Sequence, residues 1–149
     1  MSARNLQVVL ASRPAGKAAE SDFRFVEAPV PQPREGELLV RVDWLSLDPY
    51  MRGRMNEGKS YAARVELGEV MVGGTVGTVI ASLHGRFAEG DKVLGTLGWQ
   101  RYAVSDGKGL VKLPDPRLPE TVWLGAAGMP GITAWMGLTQ IGTPKPGET

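Results

Sequence analysis

The sequence predicts a mainly β fold, a barrel of about seven short strands followed by two helices. Short segments in which apolar and polar residues alternate recur along most of the chain, and glycine and proline are frequent, with 20 and 11 of 149 residues. Alternation places successive side chains on opposite faces of a strand, whereas glycine and proline mark the turns between strands. After Pro114 the spacing of apolar residues changes to that of helices.

Seven segments carry the strand pattern. In the third of them Val40, Val42 and Trp44 fall on one face. The fourth contains three glycines, which indicates bends or close approach of another backbone, as at the corner of a barrel. The proline-rich stretch 29–33 cannot continue a sheet and is expected to be an extended connection. The predicted strands are residues 5–11, 23–28, 38–45, 70–81, 92–95, 99–104 and 110–113.

Two helices are predicted near the end of the chain, over residues 120–127 and 132–140. Gly142 and Pro144 are expected to end the second helix. Its apolar residues cluster on one side: Ile132, Trp135, Met136 and Leu138. The polar stretch 48–66 has no clear period and predicts a long loop that can include a helical turn. Long ordered loops in a compact domain are often functional.

Composition excludes several classes of function. The sequence has no cysteine and one histidine, which excludes disulfides, cysteine nucleophiles, and metal sites built from thiolates or several histidines. A net charge of +1 provides no general attraction for nucleic acid or anionic lipid. The signatures of serine hydrolases, P-loops and dinucleotide-binding turns are absent, and His84 follows the pattern of a solvated loop residue. Without a signal-peptide core or a long apolar run, a cytoplasmic protein is expected.

The segment 47–54 combines an acid, a phenol and two guanidinium groups directly after a strand. Pro49 fixes one backbone angle and helps to hold Tyr50 in place. A fixed phenol can donate a hydrogen bond to an oxygen that gains negative charge during a reaction. The alternative interpretation is structural: the ring of Tyr50 packs on the barrel, while Asp48 and the two arginines pair in solvent.

Residues 46–55 resemble the Asp-Pro-Tyr-Met-Arg signature of the zinc-independent medium-chain reductases. This family includes the leukotriene B4 12-hydroxydehydrogenase/prostaglandin reductases, plant alkenal double-bond reductases and bacterial NADPH-dependent curcumin reductases. Further similar segments follow in the same order, at residues 70–76, 89–95, 99–102 and 128–138. The resemblance implies a GroES-like barrel that forms the N-terminal, substrate-side half of an NADPH-dependent enzyme. That enzyme would reduce the C=C bond of α,β-unsaturated ketones or aldehydes without a metal.

The resemblance also implies a domain division and partners. Residues 1–127 would form the GroES-like substrate and catalytic domain, and residues 128–149 the inter-domain helix and the start of a missing Rossmann domain. That missing domain would bind most of the NADPH, so this chain alone is expected to be inactive. The expected partner is a hydrophobic α,β-unsaturated carbonyl compound, with no nucleic acid or membrane, and the complete enzyme is expected to be a homodimer.

Site residues follow from the same resemblance. Tyr50 is the expected catalytic residue and lines the substrate side of the cleft. Arg52 and Tyr61 are expected to bind substrate, although Arg52 could instead brace the loop. Three further aromatic residues, Trp99, Tyr102 and Trp123, are interpreted as core or cleft wall. The residues expected at the nicotinamide end of the cofactor are Met129, Pro130, Gly131 and Thr133.

Two other functions remain open at the level of the sequence. The chain could be a binding module that has lost catalysis and retains affinity for flat carbonyl compounds. A barrel of this type could also serve in assembly, as in the GroES ring. Fold analogy alone is weak evidence for the second alternative, and the sequence has no mobile apolar loop of the kind that such assembly uses.

Overall fold

A computed structural model describes residues 3–58, 62–115 and 117–148 of the chain. Seven strands are found in this part of the chain: β1 Arg4–Leu10, β2 Phe23–Pro29, β3 Leu38–Leu45, β4 Thr75–Ser82, β5 Lys92–Gly95, β6 Tyr102–Ser105 and β7 Val111–Lys112. Two α-helices, α1 Tyr50–Arg54 and α2 Met129–Met136, accompany them, with 3-10 turns at Glu20–Asp22 and Glu120–Leu124 and a π-helical turn at Gly137–Gly142. The predicted mainly β fold with two C-terminal helical segments is confirmed.

The strands form two antiparallel sheets, and backbone hydrogen bonds connect the two sheets. β1 pairs with β2, and the larger sheet has the order β6-β3-β4-β5-β7. Beside β1, the amide of Val8 donates to the carbonyl of Trp99 at 2.8 Å, and the amide of Arg101 donates to the carbonyl of Leu6 at 3.0 Å. These bonds tie β1 to the segment that leads into β6 and so connect the two sheets.

Two apolar clusters stabilise this arrangement. One fills the large sheet and includes Leu38, Val40 and Val93, all fully buried. The other packs α1 against β1: Met51 and Met55 are 3% and 4% exposed and contact the cluster of Leu10. Burying two such side chains contributes roughly 1.5–3 kcal/mol each. A five-residue helix is too short to be stable by itself, so this packing is what holds α1 in place.

Glycines allow the close approaches that the strand pattern predicted. A Cβ on Gly77 of β4 would collide with the carbonyl oxygen of Arg41 in the paired strand β3. A Cβ on Gly73 would lie 2.6 Å from Cδ1 of Leu45 and 3.0 Å from the ring of Trp99. These contacts explain why glycine occupies both positions, although β4 begins only at Thr75 and not at residue 70.

The helical segments differ from the sequence-based prediction in their bounds. The first is a 3-10 turn that ends at Leu124, followed by a tight turn in which a Cβ on Gly128 would meet the backbone of Trp123. The second begins at Met129, three residues before the predicted start. Helical structure ends at Gly142, followed by Thr143 with φ of 42°, as the glycine and proline pattern predicted.

The C-terminal helical segment exposes its apolar side chains. Trp135 and Met136 are 63% and 52% exposed, and Leu138 and Ile141 are 57% and 85% exposed. These side chains leave apolar surface exposed on the C-terminal segment. Within the described ranges, no helix has the length and apolar character needed to cross a membrane.

Candidate active site

An open cavity of about 510 Å³ lies where the end of β3, α1 and the end of β5 meet the segment 123–130. Its walls are mostly apolar, and its polar lining comes mainly from Ser46, Asp48, Tyr50 and Arg54. Trp123 and Leu124 form a second wall. The volume lies within the range of 300–1,000 Å³ that is usual for small-molecule sites.

Helix α1 presents Tyr50 and Arg54 to the cavity because the two residues are four apart and share one helix face. Met51 and Met55 occupy the neighbouring face, which is buried against β1. Pro49, with φ of −56°, leads into the helix. Tyr50 is half-buried, and its ring packs against the apolar cluster that holds α1. Tyr50 therefore packs its ring on the barrel, as the structural interpretation expected, and also lines the cavity, as the site interpretation expected.

Asp48 is held by hydrogen bonds with residues close to it in the chain, just after the end of β3. The hydroxyl of Ser46 donates to Oδ1 of Asp48 at 2.9 Å, and the amide of Met51 donates to the carbonyl of Asp48 at 3.1 Å. Among the described residues, Asp48 forms no ion pair with Arg52 or Arg54, so the solvent pairing of the alternative interpretation is not found.

Arg52 lies on another side of α1 and braces the loop 14–16. Its Nε donates to the carbonyl of Gly16 at 2.8 Å, and Nη2 donates to the carbonyl of Pro14 at 2.9 Å. Nη1 donates to Oδ1 of Asn56. The side chain is not part of the cavity lining, and these contacts agree with the bracing role that the sequence left open. Tyr61, the other residue expected to bind substrate, lies outside the described residues.

Two of the four residues expected near the cofactor lie at the cavity. Met129 and Pro130 line it, and Met129 is 64% exposed. Gly131 and Thr133 lie farther along α2 and do not line it. A Cβ on Gly131 would collide with the backbone of Ala126, so the tight turn into α2 accounts for this glycine.

A polar network holds the wall that carries Trp123 and Leu124. The indole Nε1 of Trp44 donates to Oε2 of Glu120 at 3.0 Å, and Nζ of Lys92 lies 2.6 Å from Oε1. Nζ of Lys92 also lies 3.3 Å from Oδ2 of Asp43, the acceptor of a further hydrogen bond from Thr78. Through these bonds, β3 and β5 fix the 3-10 turn over the end of the sheet.

The carboxylate of Asp43 is the common acceptor of hydrogen bonds in this network. Burial raises the pKa of Asp43, but hydrogen bonds from Arg41, Thr78 and Lys92 outweigh it and hold the pKa below its ordinary value. A carboxyl whose pKa is lowered by folding stabilises the protein above the unfolded pKa of about 3.9. That stabilisation is lost as the pH falls through the lower, folded pKa.

We expect Asp43→Asn to lower the free energy of unfolding by about 1–2 kcal/mol at neutral pH, because charged hydrogen bonds are lost. The loss should shrink as the pH falls from about 4 through the lower, folded pKa, where the wild-type carboxyl itself becomes protonated. Urea unfolding between neutral pH and pH values below about 4 measures this loss of unfolding free energy. Glu89→Gln, which removes an exposed carboxylate from a nearby turn, is the control. If the wild type and Asp43→Asn differed in unfolding free energy by the same amount at every pH, the stabilising role of the Asp43 carboxylate would be contradicted.

The arrangement suits an apolar molecule that carries oxygen atoms. Besides the phenol of Tyr50, the hydroxyl of Ser46 and the carboxylate of Asp48 belong to the polar part of the lining. The part of the chain that the structure describes contains no group of three or more histidine, cysteine, aspartate or glutamate residues placed to hold a metal ion. Fold and cavity together define a mainly β domain with an open, mostly apolar cavity of small-molecule size.

Comparison with known proteins identifies the family. Residues 6–113 match a family model described as the N-terminal domain of oxidoreductase, and the chain belongs to that family. It is 54% identical over 148 residues to the NADPH-dependent curcumin reductase of Escherichia coli. That alignment covers 98% of this chain and 42% of the relative. It is 36% identical over 152 residues to the NADP(+)-dependent 2-alkenal reductase of Nicotiana tabacum, covering 97% of this chain and 44% of the relative.

A solved structure supports the same assignment. CurA of Vibrio vulnificus, in complex with NADPH, superposes with a TM-score of 0.88 at 53% identity over 98% of this chain and 43% of that chain. The chain thus spans less than half the length of the relatives it matches. The resemblance to the N-terminal half of a medium-chain reductase of the curcumin, prostaglandin and alkenal reductase group is confirmed, as is the GroES-like barrel.

Proposed function

We propose that this chain is the substrate-side half of an NADPH-dependent reductase that reduces the C=C bond of α,β-unsaturated ketones or aldehydes. The observation that carries the proposal is the position of Tyr50 in the lining of an apolar cavity on a helix fixed by Met51 and Met55. The name of the tobacco relative supports the substrate class, since a 2-alkenal is an α,β-unsaturated aldehyde.

The role we assign to Tyr50 is hydrogen-bond donation to the carbonyl oxygen. When the β-carbon of an enone is reduced, negative charge spreads over an enolate, and a neutral hydroxyl is suited to stabilise it. A well-placed donor of this kind contributes roughly 2.7–4 kcal/mol to the transition state. Since the sequence has no cysteine and one histidine, we propose that this donor acts without a metal.

NADPH supplies the hydride in this proposal. Met129 and Pro130, at the edge of the cavity, would hold the nicotinamide end, and Gly131 and Thr133 of α2 remain proposed contacts. The residues of this chain fit only that end, because the sequence contains neither motif that cradles phosphates. The phosphates would therefore bind to a second domain.

The exposed apolar surface at residues 132–141 is the proposed contact for that second domain. It agrees with a division into residues 1–127 and 128–149, in which the later segment connects to the cofactor domain. We further propose that the complete enzyme pairs as a homodimer and that Tyr61 contacts substrate. Each of these remains a prediction.

The activity can be tested with a matched pair of compounds. We expect the full-length product of the gene to oxidise NADPH with oct-3-en-2-one and to leave octan-2-one unchanged, because only the enone can form the delocalised enolate. Loss of absorbance from NADPH measures the rate. Equal rates with both compounds would contradict conjugate reduction, and no reaction with either would favour a binding module without catalysis.

A further inference from the structure

Arg13 contacts the end of the helix that carries Tyr50. Its Nη1 donates to the carbonyl of Met55 at 2.8 Å and to the carbonyl of Val65 at 3.2 Å. Its Nη2 donates to Oε2 of Glu66 at 3.2 Å. Among the basic side chains that form ion pairs in the described ranges, that of Arg13 is the least exposed, at 16%. These partners hold the guanidinium in one orientation, unlike a solvated surface charge.

The C-terminal end of α1 needs Arg13 for one of its carbonyl groups. The last carbonyls of a helix have no partner within the helix and must be bound from outside it. The carbonyl of Arg54 accepts from the amide of Val65 at 2.8 Å, and the carbonyl of Met55, the residue that ends the helix, accepts from Arg13. Basic side chains commonly bind helix ends in this way. Of these two bonds, the one to Met55 comes from a distant part of the chain.

A second arginine joins the same two segments in the opposite direction. Arg52 of α1 donates to two carbonyls of the loop 14–16, next to Arg13 in the chain. The start of that loop is itself fixed, because the hydroxyl of Ser12 donates to Oδ1 of the buried Asp22 at 2.7 Å. Arg13 therefore extends from an anchored backbone and can hold α1 in place.

We infer that Arg13 is a positioning residue for Tyr50: it holds the C-terminal end of α1 and thereby places the phenol in the cavity. The inference rests on the proposed function, in which Tyr50 donates to the carbonyl of the substrate. Helix α1 has five residues, so an anchor at its end also sets the position of Tyr50 at its start. Arg13 does not line the cavity and acts through Tyr50. Small displacements of a catalytic group from its productive geometry lower the rate strongly.

Arg13→Met in the full-length protein tests this role. Methionine fills part of the space of the arginine stem and removes every donor. We expect kcat for oct-3-en-2-one to fall about 10- to 100-fold, because the phenol is displaced. KM should change little, since the apolar walls of the cavity remain. An unchanged kcat would overturn the inference.

A double-mutant cycle separates positioning from a general loss of structure. In the Tyr50→Phe background, Arg13→Met should lower kcat by less than about 2-fold, since no phenol remains to be displaced. Falls of equal size in both backgrounds would show that Arg13 does not act through Tyr50.

Arg86→Met is the matched control for Arg13→Met. Nη2 of Arg86 donates to the carbonyl of Gly107 at 3.1 Å, so it forms a bond of the same kind between two other loops, and Arg86 does not line the cavity. Its variant should retain the wild-type kcat. An equal fall in kcat for the two variants would assign the effect of Arg13 to stability alone.

Arg13→Lys is the milder variant if Arg13→Met does not fold, which a thermal melt would reveal. Lysine keeps the charge and can donate to the carbonyl of Met55, but it lacks the fork that also reaches Val65 and Glu66. We expect a kcat below that of the wild type and a much smaller fall in the Tyr50→Phe background. A wild-type kcat, or falls of equal size in both backgrounds, would count against the role of Arg13.

The position of the phenol can also be followed without any reaction. In full-length protein labelled with ¹³C at the ring carbon that bears the tyrosine hydroxyl, Tyr50→Phe identifies the signal of Tyr50 by its loss. We expect Arg13→Met to shift this signal and to leave that of Tyr102 in place, whereas Arg86→Met should shift neither. A Tyr50 signal that does not respond to Arg13→Met would overturn the inference.

The two proposals fail in different ways. If the full-length protein reduces no enone, or if Tyr50→Phe leaves kcat unchanged, the proposed function of Tyr50 fails, and the NMR signal still decides whether Arg13 places the phenol. If the enone is reduced through Tyr50 and Arg13→Met changes neither kcat nor the signal, the function stands and the inference fails.

Discussion

Tyr50→Phe is expected to lower kcat for enone reduction about 100- to 1,000-fold, with little change in stability. The variant keeps the ring that packs against the apolar cluster of α1 and removes only the hydroxyl. Loss of one donor to a developing oxyanion costs about this factor in other enzymes. Steady-state kinetics of the full-length protein with NADPH and oct-3-en-2-one measures the effect, and a thermal melt measures stability.

Tyr102→Phe is the matched control for this variant. Tyr102 begins β6, is also half-buried, and does not line the cavity. Its variant should retain wild-type kcat. If Tyr50→Phe also retained it, the phenol would have no part in the reaction. If the melting temperature fell along with the rate, Tyr50 would be a packing residue.

Gly77→Ala is expected to cost at least about 3 kcal/mol of unfolding free energy, more than ordinary overpacking. The new methyl group would collide with the carbonyl oxygen of Arg41 and lie 2.6 Å from Cγ1 of Val40, a fully buried residue. Since β3 and β4 are paired along their length apart from two register shifts, after Leu39 and after Val42, neither strand can move away without breaking the sheet. Urea unfolding measures the loss.

Gly85→Ala separates the collision from the general effect of replacing glycine. Gly85 lies in a turn, and a Cβ there would have no heavy atom within 4 Å. Its substitution should change stability by less than about 1 kcal/mol. Similar stabilities for the two variants would show that β3 and β4 are not packed as closely as described.

The seven strands could be predicted because alternation is a local property of the sequence. Helix α1 was anticipated only as a helical turn that the loop 48–66 can include. Five residues are too few to display a helical period, and Met51 and Met55 are stabilised by contacts with a distant strand. The start of β4 was predicted too early because Val70 is β-branched and apolar, yet it forms only an isolated bridge to Val9. Tertiary contacts decide such boundaries.

The candidate site was predictable only in part. The sequence pointed to Tyr50, Met129 and Pro130, which line the cavity. It also favoured Arg52 over Arg54, although four-residue spacing from Tyr50 would have selected Arg54 once α1 was known. The position of Trp123 depends on the salt bridge between Glu120 and Lys92. A local sequence pattern does not predict a contact between residues so far apart.

A crystal structure of the full-length protein with bound NADP(+) and oct-3-en-2-one would show directly whether Tyr50 binds the carbonyl oxygen of the substrate. We expect the ketone oxygen to lie within hydrogen-bond distance of the Tyr50 hydroxyl, roughly 2.5–3.0 Å. An enone bound in another part of the protein, or one whose oxygen is held by a different group while Tyr50 points elsewhere, would contradict it.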